Sequence, residues 1–267
     1  MNQRLAVLGA GNMGEAVLAG ALSGGWAASD VVATVRTEAK AQHLRETYQV
    51  ATTSDNAAAV RGAGLVLVGV KPKDVGALLE EVAPALDPSA VVVTVAAGLP
   101  TTFYEERLPA GLPVVRTVPN TPAAIGAGIT AIAPGASATD AHLEAVEHLL
   151  AGTGAVVRAA EKDLDAVTAI SGSGPAYVFH VADALAEAGV LLGLTRDVAR
   201  RLATQTLLGA SRLLDESGEH PVILREKVTS PGGTTAAGLR ELDDRAVRAA
   251  FVAAAAAARD RARELAG

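Results

Sequence analysis

The chain has 267 residues, of which half are hydrophobic and 19% charged, and its formal net charge is −6. This is the composition of a folded globular protein, long enough for two domains of ordinary size. The acidic balance argues against a nucleic-acid-binding protein, because such proteins draw their affinity from neutralising phosphates. The chain contains no cysteine, which excludes disulfides, thiolate nucleophiles and thiolate metal sites.

No segment is predicted to enter a membrane. The longest apolar run, Ala249 to Ala258, is half the roughly 20 residues that a spanning helix needs. The apolar stretch after Arg4 is broken at Gly11-Asn12, so it does not form a signal peptide. We therefore expect a cytoplasmic protein with neither a membrane nor a nucleic-acid partner.

In chain order, the first part alternates short apolar runs with helical segments. The runs are continuously apolar and mostly β-branched, which indicates strands buried on both faces of a parallel sheet. The predicted strands are Leu5–Leu8, Val31–Val35, Leu65–Val70, Val91–Val95 and Val114–Arg116. The predicted helices are Gly14–Leu22, Glu38–Thr47, Asp55–Arg61, Asp74–Val82 and Thr101–Arg107. Repeated strand–helix units predict an α/β fold with a Rossmann-like, doubly wound sheet.

Local signals refine this first domain. Pro72 suits the first turn of its helix, and Ser54 and Thr101 are candidate N-caps. The sheet is expected to continue at its far edge through a strand, a helix and a strand, at Thr130–Ala133, Asp140–Leu150 and Ala155–Val157.

After about Glu161 the β signal disappears. Long segments rich in alanine and leucine and free of proline predict an all-helical domain, at Leu164–Ile170, Ala176–Leu191, Arg196–Glu216 and Arg245–Leu265. We place a Rossmann-like domain at residues 1–160 and a helical domain at residues 161–267. A helical half of about 100 residues is marginal alone, so we expect it to pack in an isologous homodimer.

A glycine fingerprint lies between the first predicted strand and the first helix. Gly9 permits a tight turn, Gly11 lets the backbone approach a pyrophosphate, and Gly14 allows close packing of helix and strand. With Ala10, Asn12 and Met13 between them, these residues lead into a helix N-terminus that favours phosphate. The context on both sides predicts dinucleotide binding.

The end of the second strand indicates which nicotinamide cofactor is preferred. NAD sites usually place an acidic residue there to hold the ribose hydroxyls. This chain instead has Thr34, Arg36 and Thr37. A guanidinium can pair with a 2′-phosphate and the threonine hydroxyls can assist. We expect NADPH, with NADH as a possible substitute.

Three later segments are predicted to line the cofactor site. Lys71 directly follows a buried strand, on the edge of the sheet where ligands bind. The next strand ends in small residues that include Ala97, which leaves room for a nicotinamide ribose. Asn120 lies in a turn fixed by two prolines.

A second chemical cluster lies late in the chain. Ser230, Gly232, Gly233, Thr234 and Thr235 form a hydroxyl-rich, glycine-containing loop that leads into a helix beginning near Ala236. Backbone N–H groups and hydroxyls at a helix N-terminus suit a carboxylate. A capped loop between two helices would explain the same residues without a ligand.

Taken together, these elements resemble the Δ1-pyrroline-5-carboxylate reductase family, which makes proline. The matching motifs run along nearly the whole chain: the glycine fingerprint, Val70-Lys71-Pro72, Pro119-Asn120-Thr121-Pro122, Ser171-Gly-Ser-Gly-Pro175-Ala-Tyr177, and Ser230-Pro-Gly-Gly-Thr-Thr235 followed by Gly238-Leu239. The resemblance implies an N-terminal Rossmann-like domain and a helical domain that interlocks with its twin, with dimers commonly building higher oligomers. It also implies reduction of a five-membered cyclic imine by NAD(P)H.

The resemblance implies specific roles along the chain. The pyrophosphate would be held by Gly9 to Gly14. The adenosine ribose and its 2′-phosphate would be held by Thr34, Arg36 and Asn56. The nicotinamide end would be lined by Val70, Lys71, Pro72, Ala97 and Asn120. Gly233, Thr234 and Thr235 would receive the substrate carboxylate, with the Thr235 hydroxyl near the imine nitrogen as the catalytic group. Glu161 is expected to touch the same pocket. Lys227 stands where the family pattern often has a polar amide.

Two other classes of protein share the predicted N-terminal domain and are alternatives to this assignment. A β-hydroxyacid dehydrogenase needs a lysine on the first long helix of its second domain, and Ala176–Leu191 contains none. A non-catalytic NADP(H) sensor would not need the Ser230–Thr235 loop. The five histidines show no metal-ligand spacing, so we expect no metal.

Overall fold

The computed structural model describes residues 4–266, and these fall into two compact units. The first extends to Ser173 and also includes the chain from Ala258 onward, and the second is Gly174–Ala257. The domain boundary that we predict at residue 161 stays a prediction. Among residues 4–266, no helix is both long enough and apolar enough to cross a bilayer.

The first unit is built on an eight-stranded sheet. Its strands are β1 (Leu5–Leu8), β2 (Val31–Thr34), β3 (Ala51–Thr53), β4 (Leu65–Val68), β5 (Val91–Thr94), β6 (Val114–Val118), β7 (Gly128–Pro134) and β8 (Gly154–Arg158). Their order across the sheet is β3-β2-β1-β4-β5-β6-β7-β8. All neighbours are parallel except β6 and β7. The strand order reverses between β1 and β4, and in such sheets ligands bind in the crevice beyond the carboxyl ends of the strands at that point.

Helices cover both faces of this sheet. They are α1 (Asn12–Ser23), α2 (Glu38–Tyr48), α3 (Asn56–Val60), α4 (Pro72–Val82), α5 (Thr101–Glu105), α6 (Asp140–Leu150) and α7 (Leu164–Val167). Alternate residues of β1 enter opposite layers: Leu5 and Val7 pack towards α1, α2 and α6, while Ala6 and Leu8 pack towards α3, α4 and α5. The central strands β1, β2, β4 and β5 are therefore buried along their whole length and almost entirely apolar, because both faces are covered.

The predicted fold class is confirmed, with corrections at the ends of elements. The strands predicted at Val31–Val35, Leu65–Val70 and Val91–Val95 end one or two residues earlier, so their last residues lie in the loops at the binding edge. Strand β3 was not predicted. Pro72 is in the first turn of α4, as expected.

Both predicted N-caps are wrong. Asp55, not Ser54, caps α3, because its side chain accepts a hydrogen bond from the N–H of Ala58 at 2.8 Å. Thr101 is the first residue of α5, and the N-cap position belongs to Pro100.

The second unit is helical. It contains α8 (Gly174–Leu191), α9 (Arg196–Ser217), α10 (Pro221–Lys227), α11 (Thr234–Asp244) and the first part of α12 (Val247–Ala266). Helix α10 was not predicted, and α11 begins two residues before the expected Ala236. Large apolar side chains of this unit are exposed in the single chain, among them Phe179, Leu191, Leu192 and Val252.

The segment before the second unit has an unusual geometry. Helix α7 continues as a π-helix over Thr168–Gly172, where the N–H of Ser173 bonds to the carbonyl of Thr168 at 2.8 Å. The single helix predicted at Leu164–Ile170 is thus an α-turn followed by a π-turn. Such π-turns are found frequently at functional sites.

Candidate active site

The glycine turn after β1 is tightly enclosed by the chain around it. Gly9 has φ +81°, and a Cβ placed there would lie 2.5 Å from Cγ1 of Val70. A Cβ on Gly14 would lie 2.7 Å from the carbonyl oxygen of Gly9. Around Gly11, by contrast, no described atom lies within 4 Å of such a Cβ. The turn is therefore closed on the protein side and open at Gly11.

The N-terminus of α1 faces this opening. No side chain among residues 4–266 caps the helix, whose N-cap is Gly11. The first turn of a helix has backbone N–H groups without intrahelical partners and carries the positive end of its dipole. A helix start of this kind is suited to a pyrophosphate.

A cleft of about 780 Å³ extends from the glycine turn along the edge of the sheet. Predicted cofactor residues that line it are Gly9, Ala10, Gly11, Asn12, Thr34, Arg36, Thr37, Asn56, Val70 and Lys71. Such a volume suits a nucleotide, and the cradle at Gly11 leaves room for the phosphates. The residues present therefore fit a dinucleotide.

Thr34 contributes to the cleft by holding the glycine turn. Its hydroxyl accepts a hydrogen bond from the N–H of Gly9 at 3.0 Å, and its carbonyl accepts one from the N–H of Ala10 at 3.1 Å. Thr34 is buried, so its side chain positions the glycine backbone.

Two predicted adenosine contacts reach across the cleft to acidic side chains of α4. Arg36 Nη2 donates to Oδ2 of Asp74 at 2.7 Å. Asn56 Nδ2 donates to both carboxylate oxygens of Glu81, at 3.2 and 3.0 Å. The hydrogen bond from Arg36 holds the pKa of Asp74 below its usual value.

Sequence reasoning missed five polar side chains that line the same cleft. These are Lys40, Ser54, Lys73, Asp74 and Glu81. Lys40 pairs with Glu15 of α1, which also accepts from His43 at 2.8 Å. Burial raises the pKa of Glu15, but the hydrogen bonds from Lys40 and His43 outweigh it and leave that pKa lowered. The spacing of Asp74 and Glu81, two helical turns apart, is a signal that could have found the acidic pair.

Other predicted cofactor residues lie outside this cleft. Met13, Gly14, Pro72, Ala97 and Asn120 do not line it. Ala97 is exposed in the loop after β5. Asn120 is buried, and its amide has partners at both ends: Nδ2 donates to the carbonyl of Ser171 at 3.1 Å, and Oδ1 accepts from the N–H of Ile129 at 3.0 Å. Asn120 therefore ties β7 to the π-turn.

Glu161 joins two buried residues, Thr101 and Arg116, in a partly buried cluster within the first unit. Its carboxylate accepts hydrogen bonds from Thr101 and pairs with Nη1 of Arg116 at 3.2 Å. The Arg116 side chain is 9% exposed, so Glu161 is the counter-charge of a nearly buried guanidinium. The substrate contact that we expect of Glu161 stays a prediction.

The Ser230–Thr235 loop lies in the second unit. Gly232 has φ +67°, a conformation that glycine adopts without strain. The N–H of Gly233 donates to the carbonyl of Ser230 at 3.0 Å, and α11 then begins at Thr234. No side chain in the described chain caps α11, so the first N–H groups of that helix are free to meet an anion. Nearby, Nζ of Lys227 pairs with both carboxylate oxygens of Glu219.

Strand order, glycine turn and cleft together define a protein with a Rossmann-like domain suited to a dinucleotide. Residues 4–98 match the family model described as NADP oxidoreductase, coenzyme F420-dependent. Residues 161–265 match the model of pyrroline-5-carboxylate reductase dimerisation, so this part of the chain is a dimerisation domain.

Full-length comparisons agree with these family models. A pyrroline-5-carboxylate reductase of Corynebacterium melassecola is 43% identical over 264 residues, which cover 98% of both chains. The structure of a pyrroline-5-carboxylate reductase from Coxiella burnetii superposes with a TM-score of 0.95 at 33% identity, over 99% of both chains. That of Plasmodium falciparum, with NADP bound, gives a TM-score of 0.87 at 26% identity, over 100% of this chain and 99% of that one. The chain belongs to the pyrroline-5-carboxylate reductase family, and the resemblance inferred from its motifs is confirmed.

Proposed function

We propose that this protein reduces 1-pyrroline-5-carboxylate to L-proline, with NADPH as the preferred hydride donor and NADH as a possible substitute. The observation that carries the proposal is the uncapped start of α11 beside the hydroxyls of Ser230, Thr234 and Thr235. A protein that only sensed a dinucleotide would have no use for a second anion site.

Each part of the chain has a distinct task in this reaction. The turn from Gly9 to Gly14 binds the pyrophosphate, and Arg36 binds the 2′-phosphate. Gly233, Thr234 and Thr235 receive the substrate carboxylate, and the donors are the backbone N–H groups of Thr234 and Thr235, because that of Gly233 is bonded to the carbonyl of Ser230. This contact fixes the ring in one orientation. When bound, the reduced nicotinamide supplies the hydride that adds to the imine carbon.

Thr235 acts on the other end of the imine bond. The imine nitrogen must carry a proton for its carbon to accept a hydride, and it keeps that proton in the product. The Thr235 hydroxyl orients the nitrogen by hydrogen bonding. Because a neutral threonine is a weak acid, it contributes by positioning and not by strong acid catalysis.

We further propose that the protein acts in the cytoplasm as a homodimer through its C-terminal helices, and that dimers associate into a higher oligomer. The exposed apolar side chains of the second unit support a helical interface between copies. A closed two-fold arrangement would bury the same surface on both subunits.

The nearest alternative activity is β-hydroxyacid oxidation. That chemistry needs a base for the substrate hydroxyl, in that family a lysine on the first long helix of the second domain. Helix α8 contains no lysine.

The deciding experiment measures NADPH oxidation by the purified protein with pyrroline-5-carboxylate and identifies proline as the product. A parallel assay supplies 3-hydroxyisobutyrate with NADP⁺. Rapid turnover of the imine and none of the hydroxyacid supports the proposal. NADPH binding without turnover of the imine would refute the proposal. The roles assigned to the Ser230–Thr235 loop would then be the first to be withdrawn.

A further inference from the structure

One face of α4 presents two carboxylates to the cofactor cleft. Asp74 and Glu81 are seven residues apart, so they lie on the same side of a helix with 3.6 residues per turn. Ala77 and Leu78, between them, line the cleft as well. This helix therefore forms one wall of the cleft at its adenosine end, and the wall carries two carboxylates, those of Asp74 and Glu81.

The first of these carboxylates holds the residue predicted to bind the 2′-phosphate. Asp74 accepts a hydrogen bond from Arg36 at 2.7 Å, and both side chains line the cleft. The Arg36 side chain is 79% exposed and that of Asp74 is 28% exposed. A phosphate bound to this guanidinium would lie close to the carboxylate, or would have to displace it. In either case two negative groups compete for one cation.

We infer that Asp74 is a specificity-determining residue, which weakens binding of the cofactor 2′-phosphate and so moderates the preference for NADPH over NADH. The inference rests on the proposed function, in which the dinucleotide occupies this cleft with its 2′-phosphate at Arg36. No sequence pattern or family model above assigns a role to Asp74.

The placement of the charges supports this role. NAD-specific Rossmann sites carry an acidic residue at the end of β2, where it holds the ribose hydroxyls. Here that end carries Arg36, and the carboxylate comes instead from α4 on the opposite wall. The cleft thus combines a cation suited to a 2′-phosphate with an acid suited to a free 2′-hydroxyl. The hydrogen bond from Arg36, which lowers the pKa of Asp74, shows that this carboxylate already stabilises the guanidinium that the phosphate would need.

The test measures equilibrium binding of NADPH and NADH to the full-length protein by nucleotide fluorescence, without substrate and at fixed low salt. In Asp74→Asn, the Kd for NADPH is expected to fall about three- to tenfold, since one partly exposed like charge is removed from beside the phosphate. The Kd for NADH is expected to stay constant or rise. Competition by 2′,5′-ADP and 5′-AMP should show the same contrast, which would place the effect at the 2′ position.

Two control variants separate this effect from a general change of charge. Glu80→Gln removes one negative charge from the same helix at an exposed residue that does not line the cleft, and it should leave the ratio of the two Kd values unchanged. Glu81→Gln removes the second carboxylate of the wall, whose partner is Asn56 and not Arg36. It should alter that ratio less than Asp74→Asn does.

Arg36→Met distinguishes failure of the inference from failure of the proposed function. If Arg36→Met weakens NADPH binding but Asp74→Asn leaves the ratio of the two Kd values unchanged, or Glu80→Gln shifts it equally, the inference alone is overturned. If Arg36→Met leaves NADPH binding unchanged, the assignment of the 2′-phosphate to Arg36 is wrong and the inference falls with it.

Discussion

The carboxylate of Glu161 accepts two hydrogen bonds from Thr101, one from the backbone N–H at 2.7 Å and one from the hydroxyl at 2.8 Å. Thr101 begins α5, whose N-cap residue is Pro100 and has no side-chain acceptor. Glu161, 60 positions further along the chain, therefore caps the N-terminus of α5 in place of a local side chain. The same carboxylate also neutralises Arg116.

Glu161→Ala should lower the free energy of unfolding by about 2–4 kcal/mol, because it uncaps α5 and leaves a buried guanidinium without its counter-charge. Urea denaturation measures this loss. In a double-mutant cycle, Arg116→Met should recover part of it, since the stranded charge is then absent. Glu106→Ala, which breaks an exposed ion pair with Arg107, should cost less than about 1 kcal/mol. An equal cost for the two alanine variants would contradict this account.

Two glycines of the fingerprint, Gly11 and Gly14, should respond differently to alanine. Gly11→Ala should fold with nearly wild-type stability, since its Cβ meets no described atom within 4 Å, but the methyl group should obstruct the pyrophosphate and weaken NADPH binding at least tenfold. Gly14→Ala should reduce both stability and binding, because its Cβ would clash with the Gly9 carbonyl. Thermal unfolding and NADPH titration of the two variants check this. A large loss of stability in Gly11→Ala would show that the cradle is not open.

Thr235→Ala should lower kcat/KM for pyrroline-5-carboxylate by about tenfold, the effect of losing one hydrogen bond in the transition state. Thr235→Ser keeps the hydroxyl and should restore most of the rate. Steady-state assays at saturating NADPH measure both. Thr229→Ala serves as the control, because the Thr229 hydroxyl donates to the carbonyl of Arg225 at 2.6 Å. An unchanged kcat/KM in Thr235→Ala would remove Thr235 from the mechanism.

Tyr104 should make the protein sensitive to alkaline pH. Burial raises the pKa of Tyr104 to about 12, although the hydrogen bond with Thr94 and the charge of Arg116 oppose the shift. The unfolded chain releases this proton near pH 10. Stability from this group is therefore complete below about pH 10 and is lost as the pH rises towards 12.

Urea denaturation at pH 9 and pH 11 tests this expectation. The wild-type protein should lose about 1 kcal/mol more than Tyr104→Phe over that interval. The substitution should itself cost about 1 kcal/mol at pH 9, because Thr94 Oγ1 loses a partner at 2.6 Å. Equal pH dependence of the two proteins would mean that Tyr104 ionises normally in the folded state.

The sequence predicts the first unit well because its central strands are buried on both faces and its helices alternate with them regularly. Strand β3 is not predicted, because Ala51–Thr53 is short and largely uncovered at the edge of the sheet. Helix α10 is a short helix that begins at Pro221 and ends before the glycine-containing loop. Local propensity is weak over such lengths.

The sequence predicts those parts of the candidate site that depend on the local backbone conformation alone. The glycine turn, Arg36 and Lys71 follow directly from the ends of strands, and ten predicted residues line one cleft. The carboxylates of Asp74 and Glu81 do not follow from the ends of strands. Their seven-residue spacing places them on one face of α4, but only the docking of α4 on the sheet decides that this face lines the cleft. The pairing of Glu161 with Thr101 likewise depends on tertiary structure.

Helix α12 begins in the second unit and ends in the first. Its last part pairs with the first unit through Arg263 and Asp165, at 3.7 Å. On the ribosome, all of Gly174–Ala257 is therefore synthesised before the nucleotide-binding unit receives its final helical segment. At about 5–20 residues per second, several seconds pass between the synthesis of Asp165 and that of its partner Arg263. A fragment that ends at Ser173 would lack that partner permanently.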